Sequence, residues 1–206
     1  MTITSHRDIS MKRIVWALIA VPLLTANVAE AQGDWWWGAE YTVSLPLGAT
    51  KEFTDNTSWR GVTLEARKVL NQNVTVGLLF GWYTFNEVRV GTVSNPGIDV
   101  TGVPYTYLNS FPIQATAHYY LGKRRGMRVH VGGGAGITIT EQRTDVGLIR
   151  IQETKAQFSV FPEVGISIPL NWSLRGVLAV RYNYAAKSGD VPAQEYVGIS
   201  VGLAWN

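Results

Sequence analysis

The sequence contains no cysteine, few charged residues and no long apolar segment beyond its N-terminal region. The lack of cysteine excludes disulfide bonds and thiolate metal sites. No run of 18 apolar residues follows the N-terminus, which excludes a bundle of membrane-spanning helices. The net charge is only +3, and no basic stripe with interleaved aromatic residues is present. Nucleic acid is therefore not an expected partner.

The N-terminal segment has the pattern of a secretory signal peptide. A basic stretch precedes the apolar segment Ile14–Leu24, and Ala29–Ala31 offers small residues where signal peptidase cleaves. We predict a removed signal peptide over residues 1–31 and a mature domain over residues 32–206. The alternative is an N-terminal transmembrane anchor, which is disfavoured because the apolar run is short and Pro22 interrupts it.

The mature chain shows the alternating pattern of β-strands. In the last segment, the apolar side chains of Val197, Ile199 and Val201 alternate with small or polar ones, which indicates a strand with one apolar face. Seven earlier segments have the same pattern. The predicted strands are residues 36–47, 59–70, 74–90, 105–121, 127–143, 155–170, 172–186 and 195–205.

The connections between these strands alternate between short and long. Residues 71–73 and 122–126 and the corner at residues 170–171 are tight, whereas the linkers near 48–58, 91–104, 144–154 and 187–194 are long. Outer-membrane barrels have short periplasmic turns and long outer loops. With an even number of strands, both termini fall on the periplasmic side. A soluble sandwich has no reason to sort its loops in this way.

The polar faces of the strands distinguish a membrane barrel from a soluble one. They are rich in Gly, Ser and Thr, carry opposite charges and contain almost no Lys, which fits a narrow polar interior. We therefore predict an all-β, eight-stranded antiparallel up-and-down transmembrane β-barrel in the outer membrane of a Gram-negative bacterium. Aromatic residues cluster near the predicted strand ends, as interfacial belts do, although ordinary core aromatics are an alternative. They are Trp35, Trp36, Trp37, Tyr119, Trp172 and Trp205 at one end and Trp59, Trp82, Tyr107, Tyr182 and Tyr184 at the other.

The leader, the eight alternating strands, the glycine-rich stretch Val131–Gly136 and the closing segment Tyr196–Trp205 carry a family resemblance. The chain resembles the outer-membrane-protein β-barrel domain family, the small barrels similar in shape to the transmembrane domain of outer-membrane protein A. One departure is Asn206, because the family usually ends on the terminal aromatic residue that the insertion machinery reads.

This resemblance implies an architecture more clearly than a function. Members of the family serve as adhesins, structural anchors, narrow channels and lipid-A enzymes. The implied partners are outer-membrane lipid and lipopolysaccharide, the barrel-assembly machinery and an extracellular surface partner. No cofactor is implied.

The polar faces predict a set of charged and imidazole side chains in the lumen, at low to middle height. The interior of an eight-stranded barrel is just wide enough to be filled by side chains, so these groups are expected to neutralise one another and plug the lumen. The alternative is a narrow, porin-like channel. The set consists of Glu40, Glu65, Arg67, His118, Arg128, His130, Glu163, Arg175 and Arg181.

The two mature histidines lie symmetrically about the turn at residues 122–126. Directly opposed Cβ atoms of paired strands are about 5 Å apart, so His118 and His130 are expected to face each other. Two hydrogen-bonded core histidines are the simpler interpretation. Two metal ligands, with Glu163 as a third, are the alternative, and we assign no metal site.

We predict no enzymatic activity. Lipid-A deacylase and palmitoyltransferase barrels need a nucleophile with a histidine near the outer rim, and residues 181–187 contain neither His nor Ser. The long loops are the remaining candidates for function, since binding residues concentrate on loops held by rigid scaffolds. Tyr105 and Tyr107, at the exit of the longest loop, are candidate contacts for a surface partner, the alternative being simple solvated connectors.

Overall fold

The computed structural model describes residues 35–88, 91–95, 98–102, 105–146 and 149–206. The predicted signal peptide lies outside these residues. Within them the chain forms ten strands and one short helix. The elements are β1 (Trp35–Leu47), α1 (Gly48–Phe53), β2 (Arg60–Val69), β3 (Val74–Val88), β4 (Gly91–Asn95), β5 (Ile98–Gly102), β6 (Tyr105–Leu121), β7 (Arg128–Val146), β8 (Ile149–Pro169), β9 (Leu174–Ala185) and β10 (Gln194–Trp205).

Eight strands close into an antiparallel barrel, in the order β1, β10, β9, β8, β7, β6, β3 and β2. Closure is made by the first and last strands, with Trp37 paired with Trp205 and Leu47 with Glu195. Each of the other neighbours in the barrel is the next barrel strand along the chain. The predicted fold class is confirmed, and each predicted strand corresponds to one strand of the barrel.

The strands alternate between an apolar outer face and a polar inner face. On β7, Val129, Val131 and Ile137 are exposed, whereas His130, Thr138 and Thr140 are buried. The same alternation holds along β10, where Ile199 and Val201 are exposed and Ser200 is buried. An exposed apolar band around a buried polar interior is the reverse of a soluble barrel and is typical of a barrel that faces lipid.

Short connections lie at one end of the barrel and long ones at the other. The turn end contains residues 70–73, 122–127 and 170–173, together with Trp35 and Trp205. The loop end contains the connections between β1 and β2, β3 and β6, β7 and β8, and β9 and β10. No helix in the described parts of the chain is long and apolar enough to cross a membrane.

Three predicted loops contain more regular structure than expected. The linker after β1 begins with α1, and the longest loop contains the hairpin of β4 and β5. The predicted loop 144–154 is wrong for most of its length, since β7 and β8 remain paired up to Val146 and Ile149. The alternation of apolar and polar residues is weak in this segment. The sequence pattern therefore does not indicate that β7 and β8 continue to pair there.

Candidate functional site: the filled lumen

Seven of the nine predicted lumen residues form one buried ionic layer. Each projects inward from a barrel strand because it stands in the polar register of that strand. All seven are less than 9% exposed, and six different strands contribute to the layer. The ionic layer consists of Glu40, Glu65, Arg67, His118, His130, Glu163 and Arg181.

Glu163 is the centre of the ionic layer. Its Oε2 atom accepts a hydrogen bond of 2.7 Å from Arg181 Nε and a second, shorter one from Arg181 Nη2. Its Oε1 atom lies 3.0 Å from His130 Nε2, 3.2 Å from His118 Nε2 and 3.4 Å from Arg67 Nη2. Glu163 and Arg181 are also direct cross-strand partners on β8 and β9. Four side chains on four strands therefore converge on one carboxylate.

The other two carboxylates complete the network. Glu65 accepts a hydrogen bond of 3.0 Å from Arg181 Nη2 and a shorter one from Arg67 Nε. Glu40 Oε2 lies 3.7 Å from Arg181 Nη2, at the limit of an ion pair. With neutral histidines, the layer has one carboxylate more than it has guanidinium groups. Removing a member leaves a buried charge without its partner, which is costly in a barrel interior.

The histidines do not face each other directly, contrary to the sequence-based expectation. His118 is paired with Gly132, and His130 is paired with Tyr120, so the hairpin is centred one residue further along the chain than expected. The two rings instead meet edge-on, with their centroids 5.6 Å apart. A change of register moves every cross-strand neighbour.

The metal alternative finds no support in the geometry. Glu163 already accepts hydrogen bonds from guanidinium groups, so it is not a free ligand. Among the described residues, no group of three or more His, Asp or Glu side chains is arranged to hold a metal ion.

Arg128 and Arg175 do not join the ionic layer, and their expected pairing with lumen carboxylates is wrong. Arg128 donates to the carbonyl oxygen of Gln72, at 2.5 Å, and its guanidinium lies over the ring of Tyr120. Arg175 donates to Ser167 Oγ at 2.6 Å and to the carbonyl oxygen of Gly126 at 2.7 Å. Both stand at the turn end, where backbone carbonyls of the turns are closer than any carboxylate of the layer.

A second layer, formed by aromatic and apolar side chains, fills the lumen toward the loop end. Tyr83, Phe85, Leu108 and Tyr196 are buried together, and the ring of Tyr196 packs 5.5 Å from Tyr83 and 5.4 Å from Phe85. Phe53 of α1 packs against this aromatic layer from the loop end. The sequence pattern does not predict this layer, because its members stand in the inward register, which is otherwise polar.

The helix α1 is tied to the start of β10, the strand next to β1, at the loop end of the barrel. Thr50 is fully buried; its hydroxyl donates to Gln194 Oε1 at 3.0 Å and accepts from the backbone N–H of Glu195 at 2.7 Å. Gln157 also donates to the carbonyl oxygens of Ala186 and Pro192. These bonds hold α1 and the connection between β9 and β10 in place at the loop end.

The two predicted loop contacts lie at the base of the long loop. Tyr107 is half-buried on β6, and the guanidinium of Arg143 lies 5.6 Å from the centre of its ring. Tyr105 begins β6, but its side chain lies outside the described residues. Tyr107 is therefore part of the wall at the loop end rather than a free tip.

The predicted aromatic belts are found on the outer surface, with one exception. At the turn end Trp37, Tyr119 and Trp172 are exposed, as Trp59 and Trp82 are toward the loop end. Trp36 differs, because its position in the strand turns it inward, where it lines a cavity at the turn end of the barrel. Amphipathic rings in two exposed belts are typical of a protein anchored at both surfaces of a bilayer.

Comparison with solved structures identifies the architecture. Neisserial surface protein A is 14% identical over 83% of this chain and 96% of its own, with a TM-score of 0.59. The outer membrane protein OprG from Pseudomonas aeruginosa is 13% identical over 84% of this chain and 95% of its own, with a TM-score of 0.52. The chain has the fold of the small outer-membrane β-barrels. No protein-family model and no curated protein matches the sequence.

The shared fold fixes the wall of this barrel but not its interior. At such low identity, the likeness supports the shared fold and gives no information about the side chains that fill the lumen of this barrel. The two layers described above are therefore features of this chain, and they decide what can pass through the barrel.

Proposed function

We propose that the protein is an integral outer-membrane barrel whose lumen is closed and whose role is structural or surface-interacting rather than catalytic. The observation that carries this proposal is the filling of the lumen at two heights, by the ionic layer and by the aromatic layer. An ion that entered would have to displace Glu163 and Arg181 from each other and then pass between Tyr83 and Tyr196. The barrel wall then serves to hold the loop end outside the cell.

Recording from the purified protein in planar bilayers tests whether the lumen is closed. The expected result is no stable single-channel step. A narrow, porin-like channel for ions or small solutes is the alternative, and reproducible steps from the unmodified protein would establish it and overturn the closed lumen. Arg181→Ala combined with Tyr196→Ala, which thins both layers, is the matched positive control because it is expected to introduce conductance.

The proposal places the turn end and both termini in the periplasm and the loop end outside the cell. The absence of cysteine makes this directly testable, because a single introduced thiol is the only one in the chain. Asp190→Cys at the loop end is expected to react with an impermeant maleimide on intact cells. Lys123→Cys at the turn end is expected to react only after the cells are opened. The reverse pattern would invert the orientation.

The residues before the barrel are proposed to be a signal peptide, residues 1–31, that is removed on export. N-terminal sequencing of the protein from purified outer membranes is expected to begin at Gln32. A chain that retains residues 1–31 would contradict this part of the proposal and leave the barrel itself unaffected.

Surface interaction is proposed for the loop end, with lipopolysaccharide and an extracellular surface as partners. Replacing residues 91–104 with a Gly-Ser segment of equal length is expected to reduce adhesion of expressing cells to host-cell layers. This replacement leaves Tyr105 and Tyr107 in place. A separate Tyr107→Ala variant therefore tests whether the barrel wall at the base of the loop contributes to adhesion. Unchanged adhesion in both variants would remove this loop as the contact surface.

A further inference from the structure

The mouth of the barrel at the turn end holds a cavity with an excess of arginine. The cavity has a volume of about 70 Å³ and is lined by Arg124, Arg128 and Arg175, with Glu40, Glu65 and Arg67 of the ionic layer beneath them. No carboxylate of the described residues forms an ion pair with these three arginines. We call the three arginines and the cavity that they line the basic cup.

Two of the arginines are held in place by the turns. Arg175 donates from Nη1 to the carbonyl oxygen of Arg124, at 3.2 Å, and from Nη2 to that of Gly126, at 2.7 Å. Arg128 is held over Tyr120, with its ring centre 4.8 Å from the guanidinium carbon, and its Nη2 atom donates to Gln72. Two of the three side chains of the cup are therefore preorganised, and only that of Arg124 has to be ordered by a ligand.

The arginines of the cup have unused hydrogen-bond donors. Arg128 Nε is buried and has no partner among the described residues. The guanidinium of Arg124 makes neither a hydrogen bond nor an ion pair within the described chain. A buried donor without an acceptor is costly, so an external acceptor at this place would be stabilised.

The charge balance of the mouth favours an anion. The three rim arginines outweigh the single net negative charge that the ionic layer carries with neutral histidines. Guanidinium groups present forks of N–H donors that match the oxygens of phosphate. A water molecule needs roughly 10–15 Å³ of such space, so the cavity accommodates about five to seven heavy atoms, which is enough for a phosphate group.

We propose that the basic cup binds a phosphate group, supplied either by free phosphate or by a phospholipid headgroup. The exposed rings of Trp37, Tyr119 and Trp172 encircle the same end of the barrel. In a bilayer such rings lie at headgroup level, which brings lipid phosphates to the height of the cup. The lipid source rests on the proposed membrane location, whereas binding of free phosphate does not.

The test is calorimetric titration of inorganic phosphate into the full chain, folded in a detergent that lacks phosphate. Saturable binding to one site is expected. Arg124→Gln and Arg128→Gln are each expected to weaken it about tenfold, the loss typical of one charge-assisted hydrogen bond. Arg125→Gln is the matched control, because this neighbour points away from the cavity, 5.8 Å from the ring centre of Trp172. It is expected to bind phosphate as the unmodified protein does.

Folding of each variant is checked by its heat-modifiable migration on gels. If Arg128→Gln does not fold, the result for Arg124→Gln alone tests the proposal, because the side chain of Arg124 makes no described contact on which folding could depend. Absence of saturable binding, or equal weakening by Arg125→Gln, overturns the proposal. Micelles containing phosphatidylglycerol then assign the source: loss of phosphate binding in their presence identifies a lipid headgroup, and unchanged binding identifies soluble phosphate.

Discussion

Glu163→Gln is the substitution that tests the ionic layer most directly. It keeps the shape of the side chain and removes the charge that Arg181, Arg67 and both histidines share. Breaking a buried ion pair by removing one partner typically costs about 3–5 kcal/mol. Here Arg181 keeps Glu65 at 3.0 Å, so we expect the lower part of that range. A loss of about 3 kcal/mol lowers the folding equilibrium constant by roughly 150-fold.

The assay is reversible urea unfolding of the barrel from lipid vesicles, followed by tryptophan fluorescence and by gel migration. Glu141→Gln is the matched control: Glu141 is also buried and on the neighbouring strand β7, but its described hydrogen bonds come from the neutral amides of Asn109 and Gln152. Its loss is expected to be about 1 kcal/mol, as for ordinary hydrogen bonds.

A double-mutant cycle with Arg181→Gln separates the pair from its surroundings. If the two charges act on each other, the double variant is less destabilised than the sum of the single variants, because neither charge is left buried alone. The reasoning is refuted if Glu163→Gln costs no more than Glu141→Gln, or if the two single losses simply add.

Three further predictions concern the wall, a glycine and the loop end. Val164 lies in the middle of the outer face of β8, and Val164→Arg should destabilise the barrel in lipid vesicles by about 2–4 kcal/mol. Met127→Arg, near the turn, should cost no more than about 1 kcal/mol. Equal losses of stability in the two variants would argue against lipid at this face. Gly165→Ala places a methyl group 2.5 Å from His130 Cε1 and 2.7 Å from a backbone oxygen, so urea unfolding should show a loss of about 1–3 kcal/mol that Gly126→Ala, with 3.6 Å of space, does not show. Thr50→Val removes the hydrogen bonds of α1 to Gln194 and Glu195. We therefore expect the amides of residues 48–53 to exchange hydrogen faster than they do in the unmodified protein. Unchanged exchange would mean that the packing of Phe53 alone holds the helix.

The wall of the barrel was predictable because strand periodicity is a local property of the sequence. An alternation such as that from Val197 to Trp205 assigns each side chain to one of two faces, whatever the strand's partner is. For the same reason, the inward position of Glu40, Glu163 and Arg181 could be predicted from each strand alone. The sorting of short and long connections then indicated an even number of strands with both ends on one side.

The contacts inside the lumen were not predictable, since they depend on the stagger between strands. A shift of one residue in the centre of the hairpin replaced the expected pairing of His118 with His130 by an edge-on contact. The contact of Arg67 with Glu163 crosses the closed barrel between residues 96 positions apart in the sequence. Nothing in either strand specifies such a contact before the barrel closes.

The separation of the lumen residues into layers at different heights was also not predicted from the sequence. Arg128 and Arg175 stand in the correct register for the lumen, but their positions beside the turns place carbonyl oxygens within reach before any carboxylate. The aromatic layer was missed because an inward Phe85 or Tyr196 looks like an interruption of a polar face. The distance from the turns predicted a low to middle height for the whole set, and it did not separate Arg128 and Arg175 from the ionic layer above them.

The two layers together involve every strand of the wall, and this explains why we assign function to the ends of the barrel and not to its interior. The ionic layer draws side chains from β1, β2, β6, β7, β8 and β9, and the aromatic layer adds β3 and β10 through Tyr83, Phe85 and Tyr196. A conducting state would have to break several charge-assisted bonds at Glu163 and separate packed rings at another height. The two layers have no residue in common, so opening the lumen requires the displacement of two separate sets of side chains. The proposals above therefore place contacts with other molecules at the loop end and in the basic cup, which lie outside the two layers.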